Sequence, residues 1–323
     1  MEKLLQKTKF IEYQKTNSYK LLFTLIFLFL SIFIYLLTIF FTGTQFTVNV
    51  IEYGTLLRTT SAAITGFGLS IAGCGMQGIT RNDLSGPSTL GILPAATFGI
   101  IISQILKLEH IYFVFIFSFI FTFLVLIINF INIKITTGKH HYKPILIGLI
   151  LGAILISLSF ILKSVFPYVS ERLHIWIGSE SNSYTWKKFF YATPIIFIGI
   201  LFILFSINKI NIIDKNISIA ISLGINIKKT YWTVGIGSVL IAVSSVILFG
   251  SISIIGVVIP HICRMILKTR DYKWLILSSG FLSASVVMFS TLMNAMFSLG
   301  INLFIVFIFV PIFLLSIFIQ KKK

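Results

Sequence analysis

Ten apolar stretches separated by short polar segments organise this chain. They run approximately over residues 21–41, 56–79, 89–106, 111–131, 144–166, 189–207, 230–250, 256–267, 274–293 and 302–319. Nine are long enough to cross a bilayer alone or with tilt, since a spanning helix needs ~20 apolar residues. The eighth, Gly256 to Leu267, is short. It must lie partly beneath its neighbours, or use Ser251–Ile255 as non-helical backbone buried in protein. The first run follows a Lys-rich stretch, as the core of a signal peptide would. It is longer than the ~7–15 apolar residues of such a core, and no small-residue cleavage site follows it. It is read as a retained first helix. The expected fold is all-α: a polytopic membrane protein with about ten transmembrane helices. A basic N-terminal segment covers 1–20, and a single transmembrane domain covers 21–323.

Composition agrees. The chain is 57% hydrophobic and 11% charged, where a soluble chain carries roughly 25% charged residues. Its mean hydropathy is +1.01. In a soluble domain the net charge of +17 would suggest nucleic-acid binding. Here the cations lie between apolar runs, as loop charges and lipid-headgroup contacts, and no nucleic-acid partner is expected. With the N-terminus inside, 20 of the 26 Lys and Arg residues fall on the cytoplasmic side. The six left outside are Arg58, Lys107, Lys163, Arg172, Lys187 and Lys188. This asymmetry places both termini in the cytoplasm.

Several chemistries lack the residues they need. The nearest approach to a phosphate-binding Walker motif, Gly138-Lys139-His140, lacks both the upstream glycine and the hydroxyl residue that would meet magnesium. All nine acidic residues fall in expected loops or at helix ends. Proton-driven carriers place carboxylates within the membrane, so proton coupling is disfavoured. Sodium can be held by backbone carbonyls, which leaves that route open. His140-His141 are adjacent and do not share a helix face. Cys74 and Cys263 have no partner at metal-ligand spacing, so no metal site is assigned. Small residues crowd the second span, with Ala62, Ala63, Gly66, Gly68, Ala72, Gly73, Gly75 and Gly78, and are read mainly as helix-packing positions.

Two stretches carry more specific information. The first holds Leu57-Arg58, then Gly73-Cys74-Gly75-Met76-Gln77, then Arg81-Asn82-Asp83-Leu84-Ser85-Gly86-Pro87-Ser88-Thr89-Leu90-Gly91. The second holds Ala220-Ile221-Ser222-Leu223-Gly224-Ile225, then Gly250-Ser251-Ile252-Ser253-Ile254-Ile255-Gly256-Val257-Val258-Ile259-Pro260-His261-Ile262-Cys263-Arg264. Between them, residues 208–229 form a cytoplasmic segment with an apolar centre and basic flanks, in which Gly224 after Ala220 suits a short helix, a turn and a second helix. Pro260 interrupts its helix, and His261 and Arg264 are placed to satisfy the last carbonyls of that helix or a neighbour. The polar run 82–91 bends the chain, with Pro87 opening the third helix.

Taken together, these stretches resemble the membrane subunits of bacterial ATP-binding-cassette importers for iron–siderophores, haem and vitamin B12, the iron-complex permease family. Its members show Arg-Leu-Pro-Arg, Gly-x-x-x-Gln, Arg/Gln-Asn-Pro-Leu-Ala-x-Pro-x-x-Leu-Gly and, later, Gly-Leu-x-x-Pro-His-x-x-Arg. The resemblance runs in order from about residue 54 to the end. Its motif residues here are Gln77, Asn82, Leu84, Pro87, Gly91, Gly256, Pro260, His261 and Arg264. The resemblance implies an ATPase-coupling segment around Asp214, Ala220, Gly224 and Ile225, docked as a helix in a groove. An interfacial helix lying on lipid is the competing reading of that segment. It also implies docking of an extracytoplasmic binding protein at Arg58. The chain departs from the family there: Thr55 replaces the first arginine, Ser290 and Asn294 stand near the usual acid and arginine, and Gly300-Ile301-Asn302 replaces Pro-x-Gly. Lys163 and Arg172 are the alternative docking cations. Pathway residues are expected on the fifth helix, at Gly148, Gly152 and Ser157.

The implied function is a permease subunit that moves an iron–siderophore, or a related iron, haem or cobalamin complex, into the cytoplasm of a bacterium. It is not itself an enzyme. Its partners would be a second permease subunit, identical or paralogous, two ATPase subunits carrying ATP and magnesium, a binding protein and membrane lipid. A self-sufficient secondary transporter or channel is the alternative. The expected topology is tested by impermeant thiol labelling of intact cells. Cysteines replacing Arg58 and Lys187 should react from outside, and those replacing Lys139 and Lys321 should not. External labelling at position 139 would overturn the ten-helix layout.

Overall fold

The computed structural model describes residues 2–43, 48–108, 110–131, 143–176, 184–252, 254–297 and 300–321. Those residues form thirteen helices and no strand. In order they are α1 (Glu2–Gly43), α2 (Val48–Thr80), α3 (Ile92–Ile105), α4 (Ile111–Ile131), α5 (Lys143–Val165), α6 (Pro167–Trp176) and α7 (Trp186–Leu204). Then come α8 (Ile207–Lys215), α9 (Ile217–Ser222), α10 (Ile227–Phe249), α11 (Ile255–Leu267), α12 (Tyr272–Phe297) and α13 (Ile301–Lys321). Each of the ten expected spans carries a helix. Seven helices (α1, α2, α4, α5, α7, α10 and α12) contain a stretch long and apolar enough to cross a membrane, and α3, α11 and the described part of α13 are shorter. The basic segment 1–20 is not separate from the first helix, because α1 begins at Glu2 and runs through it. Lys139, His140 and His141 lie outside the described residues.

The bundle is arranged around α2. Of its apolar stretch, 83% is buried, against 11% for α1 at the periphery. Small residues make this possible by turning a backbone surface toward each neighbour in sequence. Gly66 meets the Ser283 backbone of α12, and the Ser283 hydroxyl donates to the Gly66 carbonyl at 2.7 Å. Gly68 and Gly75 admit side chains of α7 and α10, and Gly78 admits Ile210 of α8 and Tyr272 of α12. The small residues therefore pack within the subunit, as their pattern suggested.

Gly73 makes the closest of these approaches. The Gly256 carbonyl oxygen occupies the space a Gly73 Cβ would take, and the Gly256 Cα would stand 2.8 Å from that Cβ. Pro260 has no N–H for the carbonyl four residues before it, which is that of Gly256. Helix α11 therefore starts inside the bundle. It begins level with a point seven residues, or about 10 Å, in from the end of α2. The chain reaches it from α10 through Gly250, at φ 100°, and the non-helical Ser251 and Ile252, with Ile252 buried. Asn302 of α13 donates to the Ser251 carbonyl at 2.9 Å. The short eighth span thus uses buried irregular backbone, in protein rather than in lipid.

The bend after α2 reaches the same depth. Gly86 and Pro87 pack on Gly256 and Val257. Pro87 does not open α3: that helix starts at Ile92, capped by Gly91 at φ 74°, while the Pro87 carbonyl accepts from the Ile92 and Leu93 amides at 2.9 and 3.1 Å. Replacing Gly73 by alanine should therefore force two backbones apart. Overpacking a core costs about 1–3 kcal/mol, and the Gly73→Ala cost should lie at or above that range because backbone cannot rotate away. The expected result is a lower melting temperature and lower yield of purified protein. Gly152→Ala is the control, since its Cβ would meet Pro94 Cγ at 3.4 Å and the Gly91 Cα at 3.6 Å, ordinary contact distances.

Candidate functional site

The two motifs meet at the basic end of the bundle. Gln77, fully buried on α2, donates from Nε2 to the Val257 carbonyl at 3.1 Å and accepts at Oε1 from Arg264 Nη2 at 2.6 Å. Arg264 Nη1 lies 2.7 Å from Asp83 Oδ1. One glutamine thus fastens α2 to the first and third turns of α11. Arg264 does not satisfy terminal carbonyls, as its position suggested. Its charge is buried and needs a carboxylate and polar acceptors around it. His261, also buried, joins Asp83, Arg264, Lys268, Thr269 and Arg270 around a polar cavity of about 230 Å³.

The bend that presents Asp83 is built from local hydrogen bonds. The Asn82 side chain accepts from the Leu84 amide at 2.9 Å, an Asx turn. Thr89 Oγ1 accepts from the Gly86 amide at 2.8 Å and donates to the Leu84 carbonyl at 2.9 Å. Asn129 of α4 donates to the Leu90 carbonyl at 2.8 Å. Leu84 itself is exposed. Arg81 sits at φ 53°, a left-handed conformation ending α2, and its Nε donates to the Asp214 carbonyl at 3.3 Å.

The segment 208–229 forms α8, α9 and the start of α10. Asn211 of α8 donates to Asp271 Oδ1 at 3.0 Å and accepts from the Tyr272 amide at 2.8 Å, which fixes α8 to the start of α12. Asn216 caps α9, accepting from the Ser218 amide at 2.8 Å. The helix closes with a Schellman motif: the Ile225 amide donates to the Ala220 carbonyl at 3.0 Å and the Gly224 amide to Ile221 at 2.9 Å. Gly224 has φ 72°, so the turn requires the conformation glycine adopts without strain. Ala220 is buried, while Ile219, Ile221 and Leu223 are 51–62% exposed. Three large apolar side chains on a capped turn form an exposed apolar surface flanked by Lys215, Lys228 and Lys229. The Asp214 side chain is 5% exposed. Burial pushes its carboxyl above the usual carboxylate range, opposed by Arg270 nearby.

At the other end the expected docking cations are each held by their own neighbours. Arg58 donates to the Asn294 side chain, and its guanidinium lies 5.9 Å from the Tyr184 ring. Lys163 lies 5.5 Å from the Phe160 ring and Arg172 lies 6.0 Å from Tyr168. Gly148 and Gly152 are not openings. They are buried where α5 crosses the bend, with the Thr89–Leu90 backbone filling the space beside Gly148 and Gly91 and Pro94 lying beside Gly152. Ser157 faces outward on the exposed side of α5. Cys74 and Cys263 are free and buried. Among the described residues no group of three His, Cys, Asp or Glu side chains converges as a metal site. Sequence reasoning did not single out Asp83, Arg81, Asn211 or Arg270. A usable signal existed for Asp83: a lone arginine in an apolar helix needs a carboxylate, and Asp83 is the acid inside the neighbouring motif.

Comparison with known proteins places this geometry in context. The chain is 29% identical over 285 residues to the iron-uptake system permease protein FeuB of Bacillus subtilis, covering 85% of this chain and 83% of that protein. It is 25% identical over 228 residues to the hemin transport system permease protein HmuU of Yersinia pestis, covering 68% and 67%. Its fold is similar to an inward-facing structure of a metal-chelate type ABC transporter, with a TM-score of 0.76 at 20% identity, over 91% of this chain and 99% of that one. PsaBC from Streptococcus pneumoniae has a similar fold, with a TM-score of 0.64 at 18% identity, over 86% and 94%. The profile of the FecCD transport family matches residues 19–319, and the chain belongs to that family.

Proposed function

We propose that this chain is the membrane-spanning permease subunit of an ATP-driven importer that carries an iron complex across the bacterial cytoplasmic membrane. Membership of the FecCD transport family supports the transport role, and the names of its relatives support iron complexes as cargo. Nothing supports the self-sufficient transporter reading. The observation that carries the coupling role is the capped α9 turn. It exposes Ile219, Ile221 and Leu223 at the basic end and is braced by α8 against α12. An exposed apolar surface of this kind fits a groove on a partner. The partner is an ATPase subunit, which supplies ATP and magnesium; two of them would serve a pair of permeases.

The second permease subunit is identical or paralogous, and the cargo passes between the two. The outward face of α5, with Ile154, Ser157, Leu158 and Ile161, and exposed α13 residues such as Leu303 and Phe307 are the surfaces for that pairing. Cargo held whole by weak contacts suits a conduit that must release what it takes. Both termini lie in the cytoplasm, following the charge asymmetry. Arg58, pre-oriented by Asn294, is the principal contact for an extracytoplasmic binding protein, with Lys163 and Arg172 as further cations.

Gly224→Arg tests the coupling role. Apart from its own chain neighbours, no heavy atom of this chain lies within 4 Å of the position a Gly224 Cβ would take, so the added side chain begins in open space. It costs about 1–2 kcal/mol in the left-handed turn and blocks the groove of a docked partner. Membrane insertion and yield should stay near normal, while ATPase co-purification and uptake of the iron complex are lost. A lipid-facing interfacial helix would tolerate the added cation beside anionic headgroups. Full uptake by the variant would sink the coupling assignment.

A further inference from the structure

Arg270 lies in the loop between α11 and α12 and touches carboxylates from two other segments. Its Nη2 is 3.3 Å from Asp83 Oδ2, in the bend after α2, and its Nη1 is 4.0 Å from Asp214 Oδ2, in the last turn of α8. Asp83 turns its other oxygen to Arg264 at 2.7 Å, and Arg264 donates to Gln77 at 2.6 Å. Gln77 in turn donates to the Val257 carbonyl at the start of α11. A continuous polar chain therefore runs from α8, beside the α9 turn, to the level where α11 begins inside the bundle.

We propose that Arg270 is a positioning residue that transmits displacement of the α8–α9 segment to the bend 81–91 and the start of α11, through Asp83. The inference rests on the reading of α9 as the ATPase-coupling segment. Two features make the role positional. Arg270 is 64% exposed, so its ion pairs contribute little to stability. Its contact with Asp214, at 4.0 Å, is the longer of the two, against 3.3 Å to Asp83, so it is the one a shift of α8 alters first. Arg264 is 6% exposed and needs the Asp83 carboxylate held in place, whereas Asp214 has Arg264 and Arg81 nearby as well as Arg270. Among these four groups Arg270 is the exposed member, lying between the two acids.

The test uses the assembled transporter, with its ATPase and binding protein, reconstituted in vesicles and supplied with the ferric complex its cells accumulate. Transport and ATP hydrolysis are measured together. Arg270→Ala and Arg270→Gln should keep the melting temperature and the co-purifying ATPase, while cargo moved per ATP falls roughly fivefold or more, the scale of a modest coupling free energy. Arg270→Lys, which keeps a cation within reach of both acids, should restore most of that ratio. Asp83→Asn should lower it similarly, and the double variant Asp83→Asn with Arg270→Ala should be no worse than either single one. An unchanged ratio in Arg270→Ala, or additive losses in the double variant, overturns the proposal. Loss of the ATPase from Arg270→Ala also overturns it and moves Arg270 into the docking surface, leaving the coupling reading intact. If the wild-type complex retains no ATPase and moves cargo without ATP, the coupling reading and this inference fail together.

Discussion

The approach of the Gly256 carbonyl to Gly73 is the contact on which the rest of the bundle depends. Two glycines let α2 and α11 touch backbone to backbone, and Pro260 leaves the Gly256 carbonyl without its usual helical donor. Contact with a Cα–H partly compensates such an acceptor. With α11 seated there, the Gln77 amide reaches the Val257 carbonyl, and Arg264 two turns later reaches Gln77. The bend after α2 can then close over the same point through Gly86 and Pro87. Irregular backbone at this depth is tolerated because protein, not lipid, surrounds it.

The close packing has an electrostatic consequence. Seating α11 inside the bundle buries Arg264, and a buried guanidinium without a partner is strongly unfavourable. Asp83 supplies the charge and Gln77 the acceptor. The same carboxylate meets Arg270, so the innermost contact is joined to α8 and the exposed turn of α9. A rigid interior and an exposed surface are thus continuous through side chains.

The opposite end is organised on different terms. Arg58 lies against Asn294 and Tyr184, and Lys163 and Arg172 lie near aromatic rings. Cations held this way keep a fixed geometry. Asn294 accepts from Arg58 and orients it.

Sequence alone determined the membrane class, the places of the ten apolar helices, the small-residue character of α2 and the helix–turn–helix around Gly224. Each rests on a local quantity: run length, residue size, or a φ that glycine adopts. It also pointed to buried irregular backbone before α11, because a 12-residue apolar run cannot cross a bilayer. Tertiary structure alone decided what the motif residues touch. Gln77 and Arg264 are 187 residues apart, and no periodicity reports that they meet. The role given to Pro87 as a helix opener was displaced by the packing of the bend on Gly256, and Gly148 and Gly152 became crossing points because the backbone at 89–91 lies against them. Burial is a property of neighbours brought from distant parts of the chain. Residue type sets which contacts are possible, and the path of the other helices decides which are made.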